Sequence, residues 1–497
     1  MRKNLRNHFA TCKVAVFCFC SAMAQFSAGS DVLTKDMVIG RMRPYSGSHS
    51  NGVDTSTLSG KIMCGYQGWF AAEGDAAGYG WVHYFHRADP RQAPRIEECT
   101  FDLWPDLSEM TPDEKYLTPF KHHDGSPAFL FSSCNPRTVS RHFQWMQDYG
   151  IDGVFLQRFG VSLLSPRSLN HCNLVAANVR AGANEYGRAW SVMYDLSGLS
   201  SGQVMGVVAK DWELLVDRMK IREDKAYLHH KGKPVVAVWG IGFRDGRAYS
   251  LDECAKLIQF LKNDPHYGGN TVMVGVPTGW LSLNQDAVSD KKLHDIIGMA
   301  DIVSPWTIGR YNTEKNARAH ANGNVAVDIT WCNEKGKDYL PVIFPGFSWQ
   351  NLMRVRGRQR PLDEIPRLGG NFLWAQAVAD IKAGSKMLYV AMFDEIDEGT
   401  AIFKCSNNPP AGKIKFATYQ GLESDHYLWL VGQAGRMLKG LTAVDYSLPT
   451  RTRDQEPVVS NPAPDASHFS TPAPFRGEGW GEGLPKRRAA DYLSLIP

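Results

Sequence analysis

Eight short apolar runs, separated by helical patterns, place the strongest constraint on the fold of this chain of 497 residues. The runs are rich in Val, Ile, Tyr and Trp and are nearly continuous, which is typical of strands buried on both faces of a parallel sheet. The predicted strands are Lys61–Tyr66, Gly153–Gln157, Trp190–Tyr194, Pro234–Trp239, Val272–Val276, Ile302–Pro305, Pro341–Phe344 and Met387–Met392. Amphipathic spacing predicts helices over Thr138–Asp148, Trp212–Lys220, Leu251–Leu261 and Trp374–Ala383.

Strand–helix alternation repeated eight times predicts an α/β fold, a (β/α)8 TIM barrel, over residues 55–448. A doubly wound open sheet is the competing architecture, but no glycine-rich phosphate loop follows the first strand. The segment from Trp69 to Cys134 is too long for an ordinary βα loop, so we expect a long insertion after strand 1 that walls the cleft. Beyond Thr400, we predict a small C-terminal extension with strands over Ile414–Thr418 and Tyr427–Leu430 and a helix over about 432–441.

The two ends of the chain differ in composition from the middle. Residues 1–24 combine a basic start, a short apolar run and the sequence Ala22-Met23-Ala24, which together predict a secretory signal peptide. We therefore expect a secreted or periplasmic protein; a lipid anchor at Cys20 is less favoured because the usual preceding Leu is missing. Residues 25–54 are predicted to be a linker, and the Pro-, Ser- and Gly-rich residues 449–497 a disordered low-complexity tail.

Charge and apolar content exclude two classes of partner. The formal net charge is +4 for the whole chain, and it falls to zero without residues 1–24, which carry four basic and no acidic side chains. Nothing indicates a nucleic-acid groove, and no stretch after the leader is long and apolar enough for a membrane span. We expect a monomer.

The cysteines and paired histidines do not predict a metal site. Seven cysteines follow the leader without CxxC or zinc-ligand spacing; a disulfide such as Cys99 with Cys134 and buried free thiols are both open. The pairs His122-His123 and His229-His230 are expected to be surface or supporting residues rather than metal ligands. No cofactor is predicted.

Polar and aromatic side chains stand where the predicted strands end. Chemistry in a barrel enzyme is located at the C-terminal ends of the strands. These positions predict substrate-binding residues, although a satisfied ion-pair network among the charged members is the alternative. The candidates are Tyr66, Trp69, Arg158, Tyr194, Asp195, Trp239, Trp306, Trp349 and Asp394.

The last predicted strand opens into four carboxylates, Asp394, Glu395, Asp397 and Glu398, followed by a Gly-Thr turn. Glu395 and Glu398 are three residues apart, so one helical turn would place both on the same face. Two carboxylates that converge on a pocket are what the hydrolysis of a glycosidic bond requires. A solvated acidic loop and a calcium site are the other interpretations.

Two segments resemble the glycoside hydrolase family 99 and 71 group: Cys64-Gly-Tyr-Gln-Gly-Trp-Phe70 and Phe393-Asp-Glu-Ile-Asp-Glu-Gly-Thr400. The resemblance implies an exported or luminal (β/α)8 enzyme that acts on α-linked mannose or glucose polymers. It implies that Glu395 is the base toward the sugar 2-hydroxyl, giving a 1,2-anhydro intermediate and net retention, and that Glu398 is the general acid/base. The chain departs from the family pattern at Asp394, where Asn is usual, and at Ile396, where Trp is usual.

The sequence therefore predicts an exported, retaining glycoside hydrolase that cleaves α-glycosidic bonds in a polysaccharide or glycan, with catalytic residues Glu395 and Glu398. Two alternatives remain: a non-catalytic carbohydrate-binding barrel and a calcium-stabilised structural domain. The sugar, the linkage and endo or exo action stay open.

Overall fold

The computed structural model describes residues 32–87, 89 and 92–451. The predicted signal peptide lies outside the described residues, as does all but the first three residues of the predicted tail. The described part of the predicted linker packs against the rest of the chain. Its helix, α1 (Lys35–Arg41), contacts the helix over Pro166–Glu185 and buries Val38 and the following Met42.

The described residues form one ten-stranded sheet and one hairpin. The strands are β1 (Ile62–Tyr66), β2 (Tyr116–Lys121), β3 (Pro127–Leu130), β4 (Gly153–Phe159), β5 (Ala189–Asp195), β6 (His229–His230), β7 (Lys233–Trp239), β8 (Thr271–Pro277), β9 (Ile302–Trp306), β10 (Asp338–Tyr339), β11 (Val342–Ile343) and β12 (Leu388–Val390). Each of the eight predicted strands is present, with boundaries that differ by a few residues.

Helices follow most of the barrel strands. They are α2 (Pro136–Tyr149), α3 (Pro166–Glu185), α4 (Lys210–Leu214), α5 (Leu251–Asn263), α6 (Lys292–Met299), α7 (Glu314–His320), α8 (Ala326–Glu334), α9 (Gln350–Val355), α10 (Asn371–Lys382) and α11 (His426–Leu438). Wider π-helical turns adjoin three of them: Met205–Ala209 and Leu215–Met219 flank α4, and Ala321–Val325 joins α7 to α8. Short 3₁₀ turns lie at Ile96–Glu98, Pro112–Glu114, Gly160–Leu163, Ile221–Glu223 and Leu368–Gly370.

The large sheet is a parallel barrel. Its hydrogen-bonded order is β10-β9-β8-β7-β5-β4-β1-β12-β11, and only the two-residue β6 is antiparallel, pairing with β7. The order places the first and last barrel strands, β1 and β12, side by side, which confirms the predicted (β/α)8 architecture.

The seventh barrel strand is divided between its two neighbours. Its first part, β10, pairs with β9, and its second part, β11, pairs with β12. Leu340 and Pro341 separate the parts, and Pro341 has no N–H to contribute to a ladder. Beyond this point the Val342 carbonyl accepts a hydrogen bond from the Thr307 hydroxyl (2.6 Å) instead of from a backbone N–H of β9.

A side chain completes the hydrogen bonding just after β11. The Gln376 amide of α10 accepts from the Phe344 N–H (3.1 Å) and donates to the Phe344 carbonyl (2.8 Å). Both residues are buried, so these backbone groups would otherwise be unsatisfied.

Successive residues of each barrel strand face different environments. Met63, Phe155, Met193 and Ala237 belong to the cluster inside the barrel, whereas the residues that follow them pack into the layer between strands and helices. The two-residue period of a strand therefore fixes which side chains at the strand ends point toward the barrel axis.

The insertion between β1 and α2 contains the antiparallel β2–β3 hairpin and covers one side of the barrel. Single backbone bridges join Leu103 to Ala417 and Pro105 to Cys405. The insertion and the segment after β12 are thus fastened to each other at the C-terminal end of the barrel.

The predicted C-terminal extension is only partly correct. The predicted strand over Ile414–Thr418 is limited to the single bridge of Ala417, and the predicted strand over Tyr427–Leu430 lies within helix α11. Buried residues in this segment recur at helical spacing and pack against α2 and β1. Gly432 allows the close approach, because a Cβ there would lie 1.9 Å from the Tyr149 carbonyl oxygen.

The seven cysteines of the described residues are free thiols, so a Cys99–Cys134 disulfide is not formed. The Cys99 thiol instead faces the Phe101 carbonyl at 3.6 Å. Among the described helices, none combines the length and the apolar character that a membrane span needs.

Candidate active site

The four carboxylates follow β12 at the C-terminal end of the barrel, and Asp394 fixes the start of this segment. Its Oδ1 accepts from the backbone N–H of Gln67 (2.7 Å) and its Oδ2 from that of Gly68 (2.8 Å). These bonds join the loop after β12 to the loop after β1. Burial raises the pKa of Asp394 to about 7, although the two N–H donors act in the opposite direction.

Glu395 lies next to this junction and is fully enclosed. Its Oε1 accepts from Gln67 Nε2 (2.5 Å) and its Oε2 from the Thr400 hydroxyl. Burial raises the pKa of the Glu395 carboxyl well above its usual range, and the charges of Glu398 and Asp397 raise it further. The hydrogen bonds from Thr400 and Gln67 act against this rise.

Glu398 is the most accessible of the four carboxylates, being only partly buried. Its Oε1 is nevertheless shielded from solvent without a hydrogen-bond partner. Burial, and next the charge of Asp397, raise the pKa of Glu398 to about 8, so the group is protonated at neutral pH. The backbone is held in place because the Glu398 carbonyl accepts from the Ser348 N–H (2.9 Å).

Residues of the insertion complete one wall of the site. His83 Nδ1 lies 2.9 Å from Asp397 Oδ2, and the His83 ring stacks on Trp69 with 3.9 Å between ring centroids. A pocket beside this stack is lined by Gln67 and Gln157 from the barrel and by Tyr79, Val82 and His83 from the insertion. The insertion therefore walls the cleft, as the length of the segment predicts.

Trp239 and Trp306 form a second aromatic wall at the ends of β7 and β9. Their ring centroids are 5.4 Å apart, and both side chains are partly exposed. The Arg247 guanidinium lies over the Trp239 ring at 4.9 Å, and Asp195 adjoins Trp239 in the register of β5 and β7. Burial raises the pKa of Asp195, while the charge of Arg247 acts against that rise.

Buried polar atoms without a hydrogen-bond partner gather at this end of the barrel. Buried polar groups are normally satisfied, so each exception indicates a site where a ligand or water can bind. Among the described residues, such atoms at this end of the barrel include Gln67 Oε1, Trp69 Nε1, Gln157 Oε1, Trp239 Nε1, Arg356 Nη2, Asp397 Oδ1 and Glu398 Oε1. The set contains both donors and acceptors, which suits a ligand with many hydroxyl groups.

Three predicted substrate-binding residues face away from the cleft. Tyr66 is fully buried and hydrogen-bonds through its hydroxyl to His142 Nδ1 (2.8 Å). Arg158 donates through Nε to Asp211 (2.7 Å), and Tyr194 donates to the same carboxylate (2.8 Å). This corrects the prediction for Tyr66, Arg158 and Tyr194, which are on the outer face of their strands under the helices. Arg158 forms an ion pair with Asp211, and Tyr194 is hydrogen-bonded to the same carboxylate. For these two residues the alternative interpretation, a satisfied ion-pair network, is correct.

Trp349 is nearly buried and its Nε1 donates to Glu364 (2.6 Å), so its indole is part of the loop after β11 rather than free in the cleft. The pair His229-His230 also supports the fold, whereas His123 is exposed. His230 lies between Leu58 N–H (3.1 Å) and Asp338 Oδ2 (3.0 Å), and His229 contacts the Tyr227 carbonyl.

Several side chains of the site were absent from the sequence prediction. Gln67 and Gln157 lie at strand ends beside Tyr66 and Arg158. Knowing which residues of each strand face the barrel axis would therefore have identified them. His83 and Arg356 come from loops, where no periodicity indicates the direction of a side chain.

Three buried side chains with metal-ligand chemistry, Asp75, Cys134 and His171, lie beside the pocket, with one atom of each within 4.8 Å of the others. His171 contacts the Cys134 thiol through Nδ1 (3.1 Å) and the Gly68 carbonyl through Nε2 (2.8 Å). The Asp75 carboxylate already accepts four hydrogen bonds, from Ala72 N–H, Ala77 N–H, Gly78 N–H and the Ser132 hydroxyl. We therefore interpret the group as a hydrogen-bonded support for Gly68.

Comparison with known proteins identifies the fold. No family model matches the sequence, and no curated protein matches it. The structure is similar to that of the GH99 endo-alpha-mannosidase from Bacteroides thetaiotaomicron, with a TM-score of 0.53, 16% identity, and coverage of 77% of this chain and 99% of the other. The same enzyme in complex with bis-tris-propane matches with a TM-score of 0.50, 15% identity, and coverage of 78% and 100%. The chain has a (β/α)8 barrel of the kind found in glycoside hydrolase family 99.

Proposed function

We propose that this chain is a glycoside hydrolase that cleaves α-glycosidic bonds with retention of configuration. The observation that carries the proposal is the carboxyl pair Glu395 and Glu398, set among unpartnered buried polar atoms and aromatic walls at the C-terminal end of the barrel. Similarity of fold to a family 99 endo-α-mannosidase supports the α-linkage, and the predicted signal peptide supports export.

The environments of the two carboxyl groups suit different roles. Glu398, with a pKa of about 8, carries a proton at neutral pH and can give it to the leaving oxygen. Glu395 accepts hydrogen bonds from Gln67 and Thr400, which stabilise a negative charge on it. Because the two groups repel each other when both are ionised, the loss of a proton from one raises the pKa of the other.

The proposed reaction follows from this division. Glu395 removes the proton of the sugar 2-hydroxyl while Glu398 protonates the glycosidic oxygen, and the 2-oxygen displaces the leaving group to give a 1,2-anhydro sugar. Water then opens that ring: Glu398 takes a proton from the water, Glu395 returns its proton to the 2-oxygen, and the original anomeric configuration is restored. Trp69 with His83 and Trp239 with Trp306 provide flat apolar surfaces for sugar rings.

Sugar release tests the proposal directly. The purified chain from Gln25 onward is incubated with α-mannans, α-1,3-glucan and plant arabinoxylan, and the anomer first released is identified by NMR. We expect hydrolysis of an α-linked polymer with an α-product, and no release by the double variant Glu395→Gln/Glu398→Gln. Binding of a polymer without turnover would favour the non-catalytic barrel, and loss of the folded state in chelator would favour the calcium-stabilised domain.

The pH profile offers a second test, through Asp397. Its charge raises the pKa of Glu398, so Asp397→Asn should lower that pKa below about 8. Activity on the alkaline side depends on protonated Glu398 and is lost as pH rises through its pKa. The alkaline limb of kcat/KM should therefore move to lower pH in Asp397→Asn and stay in place in Asp295→Asn, an exposed control on α6. An unmoved or raised limb would contradict the assignment of Glu398 as the acid.

A further inference from the structure

Four arginines at alternate positions, Arg354, Arg356, Arg358 and Arg360, follow strand β11 at the same end of the barrel as the carboxylates. The outer two have structural partners. Arg354 donates to the carbonyls of Glu97 (2.8 Å) and Cys99 (3.0 Å), and Arg360 pairs with Glu364 (3.3 Å). Among the described residues, the inner two, Arg356 and Arg358, form no ion pair.

Arg356 is the member of the pair that borders the active site. It is half-buried, and its Nη2 is shielded from solvent without a hydrogen-bond partner. Burial lowers the pKa of the guanidinium; Glu398 raises it when ionised, the positive charge of Arg358 lowers it, and the charge of Asp397 raises it. Burial is the largest influence on this guanidinium, which forms no ion pair among the described residues.

We propose that Arg356 and Arg358 bind an anionic substituent of the glycan, a carboxylate, sulfate or phosphate group, so that the substrate class is an acidic glycan. The inference rests on the proposed function, since it concerns a sugar chain in the same cleft. The planar guanidinium fork suits oxyanions, which it binds through two parallel hydrogen bonds.

The adjacent acids do not prevent an anion from binding there. Glu398 is protonated at neutral pH and adds no negative charge, and Asp397 is hydrogen-bonded to His83 on the other wall. Arg358 is exposed on the loop, and it is close enough to Arg356 for its charge to lower the pKa of that guanidinium. The two arginines would thus hold the anion on a sugar next to the reacting one.

Binding of small probes tests the inference without requiring turnover. Isothermal titration at low ionic strength compares methyl α-D-glucopyranoside with glucuronate, glucose 6-sulfate and glucose 6-phosphate. We expect at least one anionic probe to bind about tenfold or more tightly than the neutral glycoside, with an affinity that falls as NaCl is added. The three anions distinguish a carboxylate site from a sulfate or phosphate site.

Variants locate the binding to the two arginines. Arg356→Gln and Arg358→Gln should each weaken binding of the favoured anion about tenfold, whereas Arg356→Lys should retain part of it. Arg218→Gln, an exposed arginine on the turn after α4, is the matched control and should bind as the parent does. Because Arg358 is exposed, its replacement does not depend on refolding of the site.

Equal affinity for the neutral and anionic probes, or unchanged anion binding in both glutamine variants, would overturn the inference. The proposed function can fail independently of the anion site. If the chain binds anions through Arg356 but hydrolyses no glycan, the anion site is supported and hydrolysis is refuted. Hydrolysis of neutral glycans without anion binding refutes the anion site alone.

Discussion

Replacement of Glu398 by Gln should lower the turnover of an unactivated glycoside by about 10³-fold, within the range of general acid catalysis. Gln has nearly the same shape as Glu but cannot transfer a proton to the leaving oxygen. The variant should keep the fold, because the position is partly exposed and the backbone bond from Ser348 N–H is unaffected.

The dependence on the leaving group identifies the role of Glu398. A glycosyl fluoride or a dinitrophenyl glycoside needs little protonation, so Glu398→Gln should cleave such a substrate at a rate much closer to that of the parent. Glu423→Gln, an exposed glutamate before α11, is the control and should leave both rates unchanged. An equal loss on both kinds of substrate would mean that Glu398 acts otherwise than as the acid.

Asp211→Asn should reduce the free energy of unfolding by about 3–5 kcal/mol, the range for breaking a buried ion pair on one side. Arg158 is 1% exposed, and Asp211 receives its Nε and Nη2 as well as the Tyr194 hydroxyl. The neutral amide would leave the guanidinium buried without a counter-charge.

Urea unfolding followed by tryptophan fluorescence measures this effect. Asp252→Asn removes one side of an exposed pair with Lys292 and should change stability by less than about 1 kcal/mol. The double variant Arg158→Met/Asp211→Leu should recover part of the loss, because it removes both charges together. A midpoint for Asp211→Asn equal to that of the parent would show that the pair does not stabilise the fold.

The barrel could be predicted from the sequence because its strands are buried on both faces. Each is a nearly continuous apolar run between helical patterns, and all eight runs form strands. Because neither face of such a strand is marked by polar residues, the sequence does not show which alternate side chains point toward the barrel axis. The sequence therefore predicts Arg158 as the site residue at the end of β4, although the structure turns its neighbour Gln157 toward the cleft.

Only those residues of the candidate site that are close together in the sequence could be predicted as a group. Glu395, Glu398 and Asp394 lie within five residues of one another, and the structure keeps them together after β12. His83 and Arg356 reach the same place from loops that begin far away in the sequence. Their positions depend on tertiary contacts such as the Trp69–His83 stack, for which the sequence carries no local signal.

In the C-terminal extension, the sequence predicts a strand where the structure has a helix. Tyr427–Leu430 is an apolar run that resembles a strand by composition, and a short run of this kind does not distinguish strand from buried helix. The helix is favoured because Gly432 and Gly435 let one face of α11 approach the barrel closely, with Gly435 set against Ile62 of β1.

The divided seventh strand has a consequence for how this chain avoids association with itself. An unpaired strand edge is a template to which another extended chain can add, and a barrel is safe only when its ring of strands is complete. Here the ring is completed at one point by side chains: the Thr307 hydroxyl and the Gln376 amide occupy the backbone groups that a neighbouring strand would otherwise bind. Gln376 thus satisfies, from within the fold, the backbone groups of Phe344 to which another strand could otherwise pair.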